Sequence, residues 1–367
     1  MLKPIHRVTC SPALVACQRL MQRFALWLCE PGTRAADLSQ AGLQPPAMPT
    51  AIEADWLWEF LQRKAGAQPL LNRAQVILAM PSAQKGALAA WVQSVSALTS
   101  QFQAAPPPWP VTGPLADPMN WAAFKTLMEA FYDTGFRAGL PYLAHGTPVA
   151  AGGVAYASYV DAFRLAHRLN PVANARHICV LCGGLLGDTP HVDHWIIKSA
   201  FPLLSMCADN LTLICSKCNE APNKGNKLVH TGGSFANWFH PYLRPGNGAC
   251  RLDFDLHTAA VHCSAVAPAD QAKAESLDRL LNLASRWTLE FKAEYVKQQG
   301  VLLGREARRI RAAQARHTRV ELEAYVQQWV DDLVPTEPYH EVHVLLGRAM
   351  REPARIRAWL AELAAVQ

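Results

Sequence analysis

Apolar positions recur along most of this chain at helical spacing. Between residues 1 and 30, Leu14, Leu20, Phe24, Leu26 and Leu28 are interleaved with Arg19 and Arg23, which predicts one helix. Residues 31–50 contain Pro and Gly and read as a connection. Over 52–63 (IEADWLWEFLQR), Trp56, Phe60 and Leu61 alternate with Glu53, Glu59 and Arg63 as on an amphipathic helix. Further helices are predicted over 72–80 and 83–102, the second with Trp91 on its apolar stripe, and these tryptophans read as core. The run 104–118 (AAPPPWPVTGPLADP) breaks the pattern, and its prolines favour an extended, semi-rigid connector.

Helical spacing returns over 120–140 and 155–170. It returns again as one long pattern over 269–299, then over 305–319, 321–334 and 342–365, with Pro335 and Pro338 as breaks. Between these helical stretches the period changes. Val192 and residues 195–197 are strand-like, as is 211–214, and 250–263 alternates like a hairpin. The predicted fold class is mainly α-helical with a small central α+β unit. The predicted division is a helical N-terminal domain (1–103), a Pro-rich linker (104–118) and a helical connector (119–174). A central unit (175–245) and a helical C-terminal region (246–367) follow.

Composition narrows the class. With 367 residues, 50% apolar and 17% charged, the chain is globular and has room for more than one core. A net charge of +6 favours an anionic partner only mildly. No apolar run reaches the ~18 residues of a membrane span, and the apolar stretch near the start is interrupted by Arg19, Gln22 and Arg23. The expectation is a cytoplasmic protein without a membrane partner. The loop 146–153 has paired glycines but no following Lys-Ser/Thr, so it is not read as a phosphate-binding loop.

The chemistry is concentrated in 176–227. Cys179/Cys182 and Cys215/Cys218 form two Cys-x-x-Cys pairs, a pattern suited to one tetrahedral Zn²⁺ of structural type. The alternative is four unmetallated cysteines. Between the pairs lie Asp193 and His194. Asp193 can bind a hard divalent cation through oxygen, and His194 can deprotonate water. An Asn at the start of a following helix can complete the metal shell with its amide oxygen. Strand, loop, strand and helix on a zinc knuckle make a ββα unit.

These residues resemble the HNH (ββα-metal) endonuclease family. The matching motif runs through Asp193-His194, Lys198-Ser199, Phe201-Pro202, Asn210-Leu211, Cys215 to Asn219, Lys224-Gly225-Asn226 and His240-Pro241-Tyr242. It is similar to a subgroup often found as effectors of bacterial anti-phage systems, some beside an ATPase. The resemblance covers about a fifth of the chain. It implies DNA as substrate, Mg²⁺ or Mn²⁺ as catalytic ion, and an ATPase or other defence-system subunit as a possible partner. The products implied carry 5′-phosphate and 3′-hydroxyl ends.

Asp193 and Asn219 are the expected ligands of that ion, His194 the expected general base, and Asn210 the residue that pins the loop orienting His194. Four residues separate Asn219 from Lys224 where the family has two. With Pro222 suited to a first helical position, Asn223 is the alternative ligand. Lys198, Lys224, Lys227, Arg308 and Arg309 are candidate nucleic-acid contacts. Two other readings stay open: a non-catalytic zinc module that binds nucleic acid or protein, and an RNA-cleaving toxin.

Overall fold

The computed structural model describes residues 2–172 and 175–367; the expected boundary between connector and central unit, at 174, lies outside the described residues. Twelve described α-helices and three separate two-stranded antiparallel sheets make a mostly helical chain.

The N-terminal helices are α1 (Ser11–Cys29), α2 (Ala51–Gln62), α3 (Leu70–Leu78) and α4 (Ser82–Ser96). α1 starts at Ser11, behind Cys10, and not at the chain start, with Pro12 in its first turn. It buries Leu14, Cys17, Leu20, Met21, Phe24 and Leu28, a stripe at three- and four-residue steps. Thr50 caps α2 by accepting the backbone N–H of Glu53. β1 (Lys64–Ala65) and β2 (Gln68–Pro69) form a short hairpin ahead of α3.

The Pro-rich stretch 104–118 does not separate two cores. Trp109 is buried and packs against Phe201 and Phe235 of the central unit. Trp91 donates its indole N–H to the Thr112 carbonyl, and Gln101 donates to that of Pro107. From the far side, α1 lies on the turn 202–206, where Gln18 donates to the Leu203 carbonyl at 2.7 Å. Residues 1–103 thus share a continuous apolar core with the central unit. The proline signal marks a change of local conformation, because prolines remove backbone donors without preventing side chains from packing.

α5 (Pro118–Ala130), capped by Asp117, widens into a π-turn over Phe131–Phe136. α6 (Tyr156–Ala166) follows. The central sheet pairs β3 (His191–His194) with β4 (Leu211–Ile214), in a register that sets Asp193 opposite Thr212 and His194 opposite Leu211. The strand ends at His194 instead of continuing through 195–197. α7 (Ser216–Asn219) is a single turn that ends at Asn219, and turns follow it through Pro222 and Asn223. The expected helix opening at Asn219 or Pro222 is absent, since the backbone there is committed to the knuckle.

β5 (Cys250–Phe254) and β6 (Val261–Ala265) form the predicted hairpin. The long pattern over 269–299 is two helices, α8 (Gln271–Leu281) and α9 (Leu283–Arg311), because Asn282 takes a left-handed conformation (φ 52°) between them. The arginine-rich segment 305–319 is likewise not one helix: α9 ends at Arg311 and α10 (Arg319–Asp331) begins behind a Thr318/Glu321 capping box. Within it Glu306 is fully buried and accepts from the backbone N–H of His317. α11 (His340–Met350) and α12 (Pro353–Ala364) complete the chain. No described helix is long and apolar enough to cross a membrane.

Candidate functional site

The four knuckle cysteines converge. Cys179, Cys182, Cys215 and Cys218 are buried, and their Sγ atoms all lie within 4.8 Å of one another. Two separations, Cys179 to Cys218 and Cys182 to Cys215, are 3.9 Å. A tetrahedral ion with Zn–S of about 2.3 Å requires S···S near ~3.8 Å, which these two separations match, and the four thiols are grouped so that they could hold such an ion.

Backbone turns aim the thiols. Gly183, at φ 72°, donates to the Cys179 carbonyl, and the Cys218 N–H donates to that of Cys215. The Cys215 thiol is pulled strongly down by hydrogen bonds from Cys179, then from Cys182 and Cys218. A side chain that sequence spacing does not single out adds to this. Arg286, near the start of α9, donates to Cys218 Sγ at 3.3 Å, and Trp287 donates to the Cys182 carbonyl at 3.0 Å. Four thiolates around a Zn²⁺ would carry a net charge of −2, part of which Arg286 would offset. The knuckle therefore also docks the C-terminal helices.

Asp193 and His194 follow each other on β3 and are 6% and 7% exposed. His194 Nε2 lies 2.9 Å from the Ser205 carbonyl, which can only accept, so Nε2 carries the proton and Nδ1 holds the free lone pair. The Tyr132 ring stands edge-on to the imidazole at 4.5 Å, and the Tyr132 hydroxyl donates to the Val192 carbonyl. Burial pushes the His194 pKa down to about 3, aided by the charges of Lys198 and Lys224 and opposed by the bond to Ser205. The ring is neutral near neutral pH and can accept a proton, and in this ion-free state burial makes it a weaker base than a free imidazole. Tyr132 comes from the π-turn after α5, and Ser205 is itself held by α5 through the Met128 carbonyl. Neither is signalled by the motif.

Asn210 is fully buried. Its amide oxygen accepts from the Ile196 N–H at 2.6 Å, while its amide nitrogen donates to the Ile196 and Leu204 carbonyls. Its backbone carbonyl accepts the Trp195 N–H. One side chain thus ties the end of β3 to the turn carrying Ser205.

Asn219 closes α7 and donates its backbone N–H to the Cys215 carbonyl. Asn223 donates its amide to the Lys217 carbonyl, which leaves its amide oxygen buried without a partner among the described residues; Asp193 Oδ2 is in the same condition. Each is a hard oxygen donor of the kind that Mg²⁺ or Mn²⁺ takes.

Of the expected phosphate contacts, Lys198 and Lys224 lie close enough to His194 for their charges to act on it, but both are already paired with carboxylates. Lys224 is buried and bonded to Asp193, so it presents nothing to solvent. Lys198 pairs with Asp133 and lies over the Tyr132 ring. Lys227 donates to the Arg279 and Leu280 carbonyls at 3.3 Å. Arg308 is exposed, whereas Arg309 is engaged by Glu321. Both sit some 22 residues along α9 from Arg286, about 33 Å at 1.5 Å per residue, and so do not join the cysteine cluster.

His240, of the outlying His-Pro-Tyr, is structural. Its Nδ1 accepts the backbone N–H groups of Tyr242 and Leu243, and burial, with Arg244 and Arg7 adding, lowers its pKa from 6.5 to about 3. Below pH 6.5 the unfolded chain takes up a proton that the folded chain refuses. The resulting stability is complete above that pH and is lost as pH falls toward 3, by at most about 1.4 kcal/mol per unit. His240→Gln is therefore expected to flatten the acid side of a stability-versus-pH curve measured by urea unfolding. An unchanged slope would contradict the assignment.

No protein-family model, curated protein or solved structure matches this chain.

Proposed function

We propose that this chain is a metal-dependent endonuclease of the HNH type that hydrolyses DNA phosphodiester bonds, acting as a regulated effector in a bacterial anti-phage system. One observation carries the reading: an acid and a neutral histidine lie side by side on a short strand beside the four-cysteine cluster, each in an environment suited to a different task. His194 is anchored through Nε2 and keeps Nδ1 free to take a proton from water. Asp193 keeps one buried oxygen unpartnered, as does Asn223, the alternative ligand to Asn219. When bound by Asp193 with Asn219, or with Asn223 in its place, Mg²⁺ or Mn²⁺ would supply Lewis-acid stabilisation of the leaving oxygen. Asn210 would hold the His194 loop against Ser205, so that the imidazole is already oriented before substrate arrives. The wider motif around these residues supports the assignment to a defence effector.

A second reading, a non-catalytic nucleic-acid or protein module, draws support from the ion pair that Lys224 makes with Asp193. Incubation with plasmid, single-stranded DNA and transfer RNA, each with and without Mg²⁺, separates the readings. The expected result is nicked and linear plasmid only when the ion is present. Cleavage confined to RNA would move the assignment to a ribonuclease, and binding without cleavage would leave the binding module.

A further inference from the structure

Lys224 is 1% exposed. Its ammonium donates to Asp193 Oδ1 at 2.8 Å and to the His194 carbonyl at 2.7 Å. The other oxygen of Asp193 is buried and has no hydrogen-bond partner among the described residues. The knuckle places the lysine: its backbone N–H donates to the Cys218 carbonyl, and that of Gly225 donates to the Asn219 carbonyl. The turn after α7 is thereby folded back on the cysteines, and its one long side chain reaches β3.

Charge explains why a cation belongs there. A carboxylate withdrawn from water must be paired or protonated. Were a divalent ion the only partner of Asp193, the ion-free protein would hold a bare buried anion. We propose that Lys224 is a resident counter-cation of Asp193, which secures the carboxylate when no divalent ion is bound and competes electrostatically with that ion when one arrives. The inference rests on the nuclease reading, since the ion concerned is the one that reading requires. An ion held through Oδ2 lies close to the ammonium in a site of low dielectric, where like charges repel strongly. The ion then binds more weakly than it would to the carboxylate without the lysine, while the fold survives without it.

This makes two effects of removing the charge run in opposite directions. The ion-free protein loses stability, and the divalent ion binds more tightly. A lysine with a purely structural role would give the first effect alone, and one that positions Asp193 for the metal would weaken binding. The test is Mn²⁺ titration calorimetry and thermal melting on the full chain, comparing wild type with Lys224→Met, Lys224→Arg and Asp193→Ala. Lys224→Met is expected to melt lower than wild type without Mn²⁺, to gain more from its addition, and to bind it at least ~10-fold more tightly. Lys224→Arg should keep the wild-type values.

Unchanged or weaker Mn²⁺ affinity in Lys224→Met, with binding abolished in Asp193→Ala, would overturn the inference and leave the nuclease reading standing. Absence of Mn²⁺ binding in every protein would remove both. If Lys224→Met does not fold alone, refolding by circular dichroism with added Mn²⁺ takes the place of the titration. Recovery supports the counter-cation, and failure to recover overturns it.

Discussion

Replacing Cys215 with serine is expected to leave a chain that neither retains zinc nor holds its C-terminal helices against the central unit. The four thiols are buried and lie within 4.8 Å of one another, close enough to share one metal ion. The apparent free energy of binding a structural zinc is about 10–16 kcal/mol in small metal-stapled units, as large as the roughly 5–15 kcal/mol that stabilises a typical domain. The loss therefore exceeds that of an ordinary core substitution. It also has a spatial signature. Arg286 and Trp287 bond to Cys218 and to the Cys182 carbonyl, so disordering the knuckle removes the anchor of α9 and exposes a fully buried indole. Elemental analysis should find one zinc per wild-type chain and none in the variant, with a red-shifted tryptophan emission. A zinc-free wild-type preparation that is folded and melts normally would reject the assignment.

His194→Ala and Asp193→Ala are expected to fail in different ways. If His194 is the base, its removal should lower turnover by about 10²–10⁴-fold, leave Mn²⁺ affinity near wild type and permit partial recovery at higher pH, where hydroxide is more abundant. Asp193→Ala should instead weaken Mn²⁺ binding, with some activity regained at high ion concentration. Stability must be followed alongside. The histidine variant strands the Ser205 carbonyl, worth about 1–3 kcal/mol, whereas the aspartate variant strands the buried Lys224 ammonium, worth about 3–5 kcal/mol. Asn219→Ala and Asn223→Ala extend the comparison, and the one that behaves like Asp193→Ala identifies the second ligand. Equal Mn²⁺ affinity in His194→Ala and Asp193→Ala would reject the division of roles.

Local signals in the sequence determined the helical character, the hairpin 250–263 and the convergence of the four cysteines. Each depends on residues a few positions apart: three- and four-residue steps of apolar side chains, a two-residue alternation, and the Cys-x-x-Cys spacing that turns two sulfurs toward one point. Tertiary packing decided the rest. Trp109 joins the Pro-rich stretch to the central core through partners about a hundred residues away in sequence, and no periodicity encodes that. Asn282 breaks an amphipathic pattern that is uninterrupted on paper, because a left-handed residue redirects α9 without disturbing the apolar spacing. Lys224 shows the difference most clearly. In sequence it is a lysine in a basic, glycine-containing run, the usual mark of a solvent-facing phosphate contact. In the fold, the turn after α7 is held by the knuckle and sends the ammonium inward to Asp193, because a buried carboxylate needs a positive charge more than the surface does.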